Sequence, residues 1–487
     1  MRFLSRIRKV FCRAPGRWSG LYRILCQTVR RSGQSPWSAV GLSAVAIGLV
    51  AVGLGSAVAQ QTPLGSQAAP LLPERLPAPQ PVSPTAMTLD QAIAATLTAD
   101  PKIRAGLEAI RQANADLWTS SLAPNPTLIA DGVYLPLRTI TPNNPGGPPE
   151  LDVMVGYPID WFLFGKRAAA MASAHLGVHL SEAEYADLVR LRVTATATAF
   201  YDVLEAKSLL GLARQDTENL MRLQTATKKA VEAGGRPMVD LSRVRLDLLT
   251  SQQNLREAES ALAIAKAKLR AQFGRTDPDP TFDVQGSLDA PLSAVPLPVE
   301  EAFAIAQQNR PDIQSLRVQV SKAEADTVVE RRKALPQLTP QFGYTHQYQT
   351  PIGSPDFDGW SAQLTATVPL FDRNQGGRAK AQSVAMQNSY NLRAGLVDLR
   401  AEVEEAVQDF NTAYQKAGAV AQEEVRLAAG VLDSIAKAYS AGGRPLIDVF
   451  DAERSYLDTY RLYISSRADY WRALYKYNSA IGKQVTR

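Results

Sequence analysis

Beyond residue 26 the chain has no cysteine, and its 487 residues include only three histidines, His175, His179 and His346. The first shortage removes thiol nucleophiles, disulfides and thiolate metal sites from most of the protein. The second leaves little for imidazole acid–base chemistry or metal ligation. His175 and His179 stand four apart on a predicted helix, a spacing that can hold a metal. No third ligand accompanies them, and a solvated helix face accounts for both. Neither a Gly-X-Ser-X-Gly elbow, a phosphate loop, a His-Glu-X-X-His pair nor an acid–base couple with a plausible pocket occurs. These shortages lead us to expect no enzyme, no catalytic residue, no cofactor and no bound metal.

Basic charge is also scarcer than the formal +6 suggests. Residues 1–59 hold nine Lys or Arg and no Asp or Glu; subtracting those nine leaves 44 basic against 47 acidic side chains. No basic face for nucleic acid survives that correction. The leader itself has the three parts of a secretory signal: a basic stretch to Arg31, an apolar stretch from Ala39 to about Gly55, and Ala57-Val58-Ala59 before Gln60. A membrane anchor is the competing reading, because the apolar stretch is nearly long enough to span. Glycine and serine interrupt it and no stop-transfer charges follow, which favours cleavage after Ala59. Cys12 and Cys26 leave with the leader, so the mature chain has no disulfide and no amino-terminal cysteine for a lipid, as suits an oxidising exported compartment. Residues 60–86 then read as a linker: between Pro63 and Pro84 there are seven prolines in 22 residues and two charges.

What the chain has in quantity is repetition. Leu89–Gly274 and Val299–Gly482 share an order of features, with Pro101 matching Pro311, Pro126 matching Pro336, Pro158 matching Pro369 and Phe273-Gly274 matching Ile481-Gly482. The clearest match is Gly234-Gly235-Arg236-Pro237-Met238-Val239-Asp240 against Gly442-Gly443-Arg444-Pro445-Leu446-Ile447-Asp448. The chain therefore divides into a first repeat over 87–274, a linker over 275–297 and a second repeat over 298–487, wrapped about a pseudo-twofold.

Proline is absent for 78 residues after Pro158 and for 75 after Pro369. With periodic apolar content rich in Ala, Leu, Gln, Glu and Arg, such gaps predict long helices. A helix from about Gly165 to Ala233 would be roughly 100 Å long, which belongs to a coiled coil or a helical tube. Between the helices of each repeat the pattern changes to strict alternation. Trp360, Ala362, Leu364, Ala366 and Val368 oppose Ser361, Gln363, Thr365 and Thr367; Leu338, Phe342, Tyr344 and Tyr348 oppose Thr339, Gln341, Thr345 and Gln347. Leu151, Val153, Val155 and Tyr157 echo this in the first repeat. Each repeat is thus expected to insert one β-hairpin of about ten-residue strands, closed by loops near 137–149 and 349–358. Such strands can cross a bilayer with one face in water, although a hairpin on a soluble core would alternate in the same way. Four strands cannot close a membrane barrel and open edges are forbidden in lipid, so several chains would have to pool them. His346, between Tyr344 and Tyr348, reads as part of an interfacial girdle.

The order of helix, hairpin and two long helices, duplicated, with Gly-Gly-Arg-Pro-Leu-Ile-Asp-Val-Phe-Asp (442–451) at the second helical turn, resembles the TolC-like outer-membrane efflux family. The resemblance covers about 88–482. Ser121–Leu128, Phe164–Ala170 and Val368–Gly377 support it, the last two being most similar to its heavy-metal branch. It implies a mainly α fold with β: a homotrimer with a twelve-stranded outer-membrane barrel, continued by a periplasmic α-helical barrel. It also implies an exit duct gated at the periplasmic helix tips, working with a periplasmic adaptor and an inner-membrane pump of the RND type. A protein-secretion duct of type I systems and a periplasmic coiled-coil adaptor are the alternatives. An adaptor would have no use for ten-residue strands with a lipid-compatible face. The cargo stays open between metal cations, drugs and protein; no Met or His cluster marks a metal-selecting site, which places selectivity in the pump.

The Gly-Gly-Arg-Pro turns carry the candidate site. Glycine supplies a left-handed stop and proline opens the next helix where no hydrogen bond is lost. Asp240 and Asp448 fall in the first turn after the proline, where a carboxylate also serves as an ordinary cap. Asp448 and Asp451 are three apart on one face, so symmetry would make each a ring of carboxylates. By resemblance, those two positions constrict the periplasmic mouth, and Asp240, Tyr439 and Arg444 form the bonds that hold it shut. The turns Gly234-Gly235-Arg236-Pro237 and Gly442-Gly443-Arg444-Pro445 would meet the adaptor.

Overall fold

A computed structural model of the chain describes residues 86–135, 137, 148–276, 279, 281–292, 294–419 and 422–484. The leader, residues 60–85 of the linker and most of the 137–149 loop lie outside them. The first repeat runs α1 (Leu89–Ala99), α2 (Pro101–Ser121), β1 (Thr127–Val133), β2 (Glu150–Gly156), a single turn α3 (Asp160–Leu163), α4 (Lys166–Glu232) and α5 (Met238–Gln272). The second runs α6 (Val299–Asn309), α7 (Pro311–Lys333), β3 (Gln337–Gln347), β4 (Phe357–Thr367), α8 (Gln375–Ala419), α9 (Gln422–Ser440) and α10 (Leu446–Ile481). The protein is mainly helical, and its 67-residue α4 spans roughly 100 Å at 1.5 Å per residue.

Local chemistry sets the helix ends. Thr88 and Gln91 form a capping box on α1, and the Asp100 carboxylate caps α2 ahead of Pro101 at the first helical position. Gly165 enters α4 from a left-handed conformation (φ 64°), and Asn374 adopts the same region (φ 56°) just before α8. At both junctions side chains tie the long helix to the segment that leads into β3. Lys166 Nζ pairs with Asp160 at 2.7 Å and donates to the Leu335 and Pro336 carbonyls, each at 3.1 Å. Asn374 Nδ2 donates to a Glu330 carboxylate oxygen at 2.7 Å.

The four strands form one antiparallel sheet in the order β1-β2-β3-β4, with β2 joined to β3 across the repeats. Phe342, Tyr344, Trp360, Leu364, Val153 and Val155 project from one face and are exposed. The other face carries Gln341, Thr345, Gln363 and Thr365, with Asp131 directly opposite Asp152. The second hairpin has eleven-residue strands, but the first has seven-residue strands, shorter than the alternation predicts. Pairing stops where Tyr134 turns to φ 54°, a conformation that an extended ladder cannot contain. No helix of the described residues is long and apolar enough to cross a membrane.

Two apolar clusters repeat the duplication in space. Ala92, Phe200, Leu269 and Phe273 build the first; Ala302, Phe410, Tyr477 and Ile481, some 210 residues on, build the second. Further along the long helices, Leu212, Val425, Leu432 and Tyr456 form a third cluster, and Val244, Tyr439, Leu446 and Val449 a fourth. The last two bind the α4/α5 hairpin to the α9/α10 hairpin.

Candidate gate at the helix tips

Both tip turns are built alike. Gly234 (φ 73°) donates its N–H to Val231 O and Gly235 donates to Ala230 O, each at 2.9 Å. Gly442 (φ 80°) donates to Tyr439 O at 3.0 Å and Gly443 to Ala438 O at 2.8 Å. These bonds satisfy carbonyls that the helix end leaves open. A Cβ on Gly234 or Gly442 would meet nothing within 4 Å, so the requirement for glycine is conformational. Pro237 and Pro445 occupy the N-cap, in extended conformations, one residue before the helical position expected for them. Neither place has an intrahelical N–H bond to lose, so the proline fits equally well. Asp240 and Asp448 then lie in the first turns of α5 and α10.

Within the single chain the three predicted latch residues, Asp240, Tyr439 and Arg444, make no bond to one another; each has a different neighbour. Tyr439 is buried against Val244, Leu446 and Val449. Its partner is Arg236, read above as a docking residue: Nη2 donates to the Tyr439 carbonyl at 2.7 Å and the guanidinium sits 4.4 Å from the ring centroid. Arg444 Nη1 instead reaches Asp448, four residues along, at 3.2 Å. With Arg444 63% exposed, that pair contributes little within one chain. The Asp240 N–H donates to Pro237 O, and its carboxylate makes no bond to Tyr439 or Arg444 within the chain. Asp451 is exposed three residues beyond Asp448.

Further from the tips, sequence reading missed a carboxyl pair. Glu453 of α10 and Asp216 of α4 are both buried. Asp216 Oδ2 accepts from the Ser251 hydroxyl at 2.6 Å, and Ser251 also meets Thr217 at 2.8 Å. Burial pushes both carboxyls up, Glu453 further because Asp216 and Asp247 face it. The signal lay in the apolar stripe Val449, Ala452, Tyr456 of α10, in which Glu453 is an acidic member. A small cavity lined by Asn219, Leu223, Leu432, Ala436, Tyr439, Val449 and Glu453 runs between Glu453 and Tyr439. His175 and His179 lie with ring centroids 6.2 Å apart, and His179 pairs with Glu182 at 3.2 Å. Among the described residues no group of three potential ligands is placed to hold a metal. His346 Nδ1 bonds Asp358 at 2.7 Å, and its ring lies edge-on to Tyr348.

Comparison with known proteins agrees with this architecture. The family model described as outer membrane efflux protein matches residues 92–275 and 303–483. The cobalt-zinc-cadmium resistance protein CzcC of Cupriavidus metallidurans is 24% identical over 400 residues, covering 81% of this chain and 88% of that one. Among solved structures, a membrane protein from Pseudomonas aeruginosa superposes with a TM-score of 0.68 at 18% identity, over 81% of this chain and 92% of that one. CusC superposes with a TM-score of 0.67 at 17% identity, over 86% of this chain and 99% of that one. With both halves matched, the chain belongs to the outer membrane efflux protein family: it is an efflux channel of the outer membrane that extends into the periplasm, and not an enzyme.

Proposed function

We propose that three copies of the chain pool their sheets into a twelve-stranded barrel and their long helices into a periplasmic tunnel. One observation carries this reading: the sheet has an apolar exposed face and two unpaired edges, β1 and β4, and short connections lead from it into long helices, of which the 67-residue α4 spans roughly 100 Å. Lipid does not tolerate open edges, so β4 of one copy would pair with β1 of the next and the apolar face would turn outward. The polar face would then line the lumen. It carries Glu150, Asp152 and Asp131 and no Lys or Arg among the described strands, which favours cations.

In this reading the mature chain begins at Gln60, and residues 87–274 and 298–487 are its two working repeats. The duct is passive: an inner-membrane pump, of the RND type, delivers cargo through a periplasmic adaptor seated on the Gly-Gly-Arg-Pro turns. The resemblance to CzcC supports divalent metal cations as the cargo class. The tips form the gate, with Asp448 and Asp451 as carboxylate rings and Asp240, Tyr439 and Arg444 as the latch. In that arrangement Arg444 would meet a carboxylate of a neighbouring copy.

The test is the state and conductance of the purified protein. In detergent the mature chain should run as a trimer, and in planar bilayers it should form cation-preferring pores. A monodisperse monomer, soluble without detergent, would overturn the channel and favour a coiled-coil adaptor.

A further inference from the structure

Glu453 and Asp216 stand at the seam between the two helical hairpins, and nothing in the gate described above uses them. Glu453 lies on α10 and Asp216 on α4, with 8% and 7% of their surface exposed. They sit between the apolar cluster around Leu212, Leu432 and Tyr456 and the one around Val244, Tyr439 and Val449. Any movement that separates the tips has to slide this seam.

The bonding requires a proton. Asp216 Oδ2 takes the Ser251 hydroxyl, but Oδ1 is fully buried and has no donor from any N–H or hydroxyl. An unsatisfied carboxylate oxygen in that position is costly. Glu453 lines a cavity together with Asn219, one turn from Asp216 on α4, so the two buried carboxyls face each other, and such a pair can bond only when one of them holds a proton. The groups facing the pair come from every neighbouring helix. Asp216 and the amide of Asn219 come from α4, Asp247 and Ser251 from α5, and Tyr439 from α9; on α10 the charge of Arg461 acts on Asp216. Two of these are carboxyls facing Glu453 itself.

We propose that Asp216 and Glu453 form a proton-sharing clip between the hairpins, closed when Glu453 is protonated and released when it ionises, so that the gate loosens as periplasmic pH rises. The proposal rests on the tip-gate reading above. The sign follows from burial. Glu453 is pushed up, to about 8, by desolvation and then by the negative charge of Asp216 and Asp247. A carboxyl raised in the packed state binds more protons there than in the loosened state. The seam is therefore fully stable below the ordinary carboxylate range and loses stability as pH climbs toward about 8. The cavity between Glu453 and Tyr439 gives the ionised carboxylate a route for water, next to the latch.

The test uses the full mature chain in planar bilayers across that range, alongside Glu453→Gln, which keeps the hydrogen bond to Asp216 without a titratable proton. The open population of the parent should rise with pH, by up to about tenfold per unit for each pair that releases one proton. Glu453→Gln should stay closed and flat, and Asp216→Asn should shift the transition downward, toward the ordinary range of an isolated glutamate. Infrared spectroscopy supplies a readout independent of gating: a neutral-carboxyl stretch at neutral pH that vanishes on alkalinisation and is missing in Glu453→Gln. If that band is absent, or if parent and Glu453→Gln share one pH profile while Arg444→Ser with Tyr439→Phe opens the channel, the clip is overturned and the gate stands. If the band titrates but the latch variant does not open the channel, the tip-gate reading fails and the clip is a hairpin joint only.

Discussion

Arg310 pairs with Glu402 at 2.6 Å, and each stands 210 residues after a member of the pair that Asp100 makes with Arg192 at 2.5 Å. The duplication kept the contact and exchanged its charges. In both repeats the residue before the helix-opening proline, Asp100 or Arg310, is nearly fully buried. A buried ion with one partner removed costs about 3–5 kcal/mol. Arg192→Asp or Asp100→Arg should therefore lower thermal stability strongly, whereas the two together should recover most of the loss. Melting of the detergent-solubilised protein distinguishes them; equal damage from the single and double variants would mean that the pair's role is steric.

Arg236→Ala removes the hydrogen bond to the Tyr439 carbonyl and the cation over its ring. A bond to a charged donor is worth about 1.5–3 kcal/mol, so the tips should separate more readily. Conductance should rise, with Arg236→Lys recovering only part of the closure because it lacks the planar fork. Parental conductance in Arg236→Ala would assign that contact to turn stability alone.

Arg444→Ser with Tyr439→Phe should raise single-channel conductance while leaving assembly unchanged. Asp448→Asn with Asp451→Asn should act on a different property. Removing the two carboxylates proposed to form rings should raise the concentration of a multivalent cation needed for block, by about tenfold or more. If the first pair conducts like the parent, the two Gly-Gly-Arg-Pro turns are helix caps only.

The two faces of the sheet should respond differently to charge. Leu364→Arg places a cation on the exposed apolar face, at about 2–4 kcal/mol if that face meets lipid. Gln363→Arg, on the polar face, should assemble normally and reduce cation preference. Equal assembly of both variants would argue against a lipid-facing sheet.

Under the proposed cleavage before Gln60, Cys12 and Cys26 leave with the leader and the mature chain is a cysteine-free background for cross-linking. Single cysteines on β1 and β4 should give oxidation-linked dimers and trimers, since those are the free edges. Monomer at every register would refute edge-to-edge closure.

Periodicity and punctuation made the longest helix, α4, readable to within a residue of its ends, whereas the proline-free interval after Pro369 holds two helices, α8 and α9. The proline-free interval after Pro158 became α4, ending at Glu232, and each Gly-Gly-Arg-Pro became a left-handed stop followed by a new helix. The eleven-residue strands were legible because Trp360 to Val368 alternates without a break, while the weaker alternation of the first hairpin overstated its length.

Contacts between distant helices were not legible, because local spacing records which face of an element is apolar and not which element covers it. Arg236 looked like a solvated turn residue until α9 placed Tyr439 beneath it, 203 positions away. Glu453 looked like one more charge on a helix rich in them, until α4 and α5 enclosed it with Asp216 and Asp247. In the chain as written, helix lengths, turn positions and strand faces follow from backbone preference and hydrophobic period. Which charges become buried, and so which can act as a clip, follows only from how the two hairpins cross, since burial is a property of the neighbours and not of the residue.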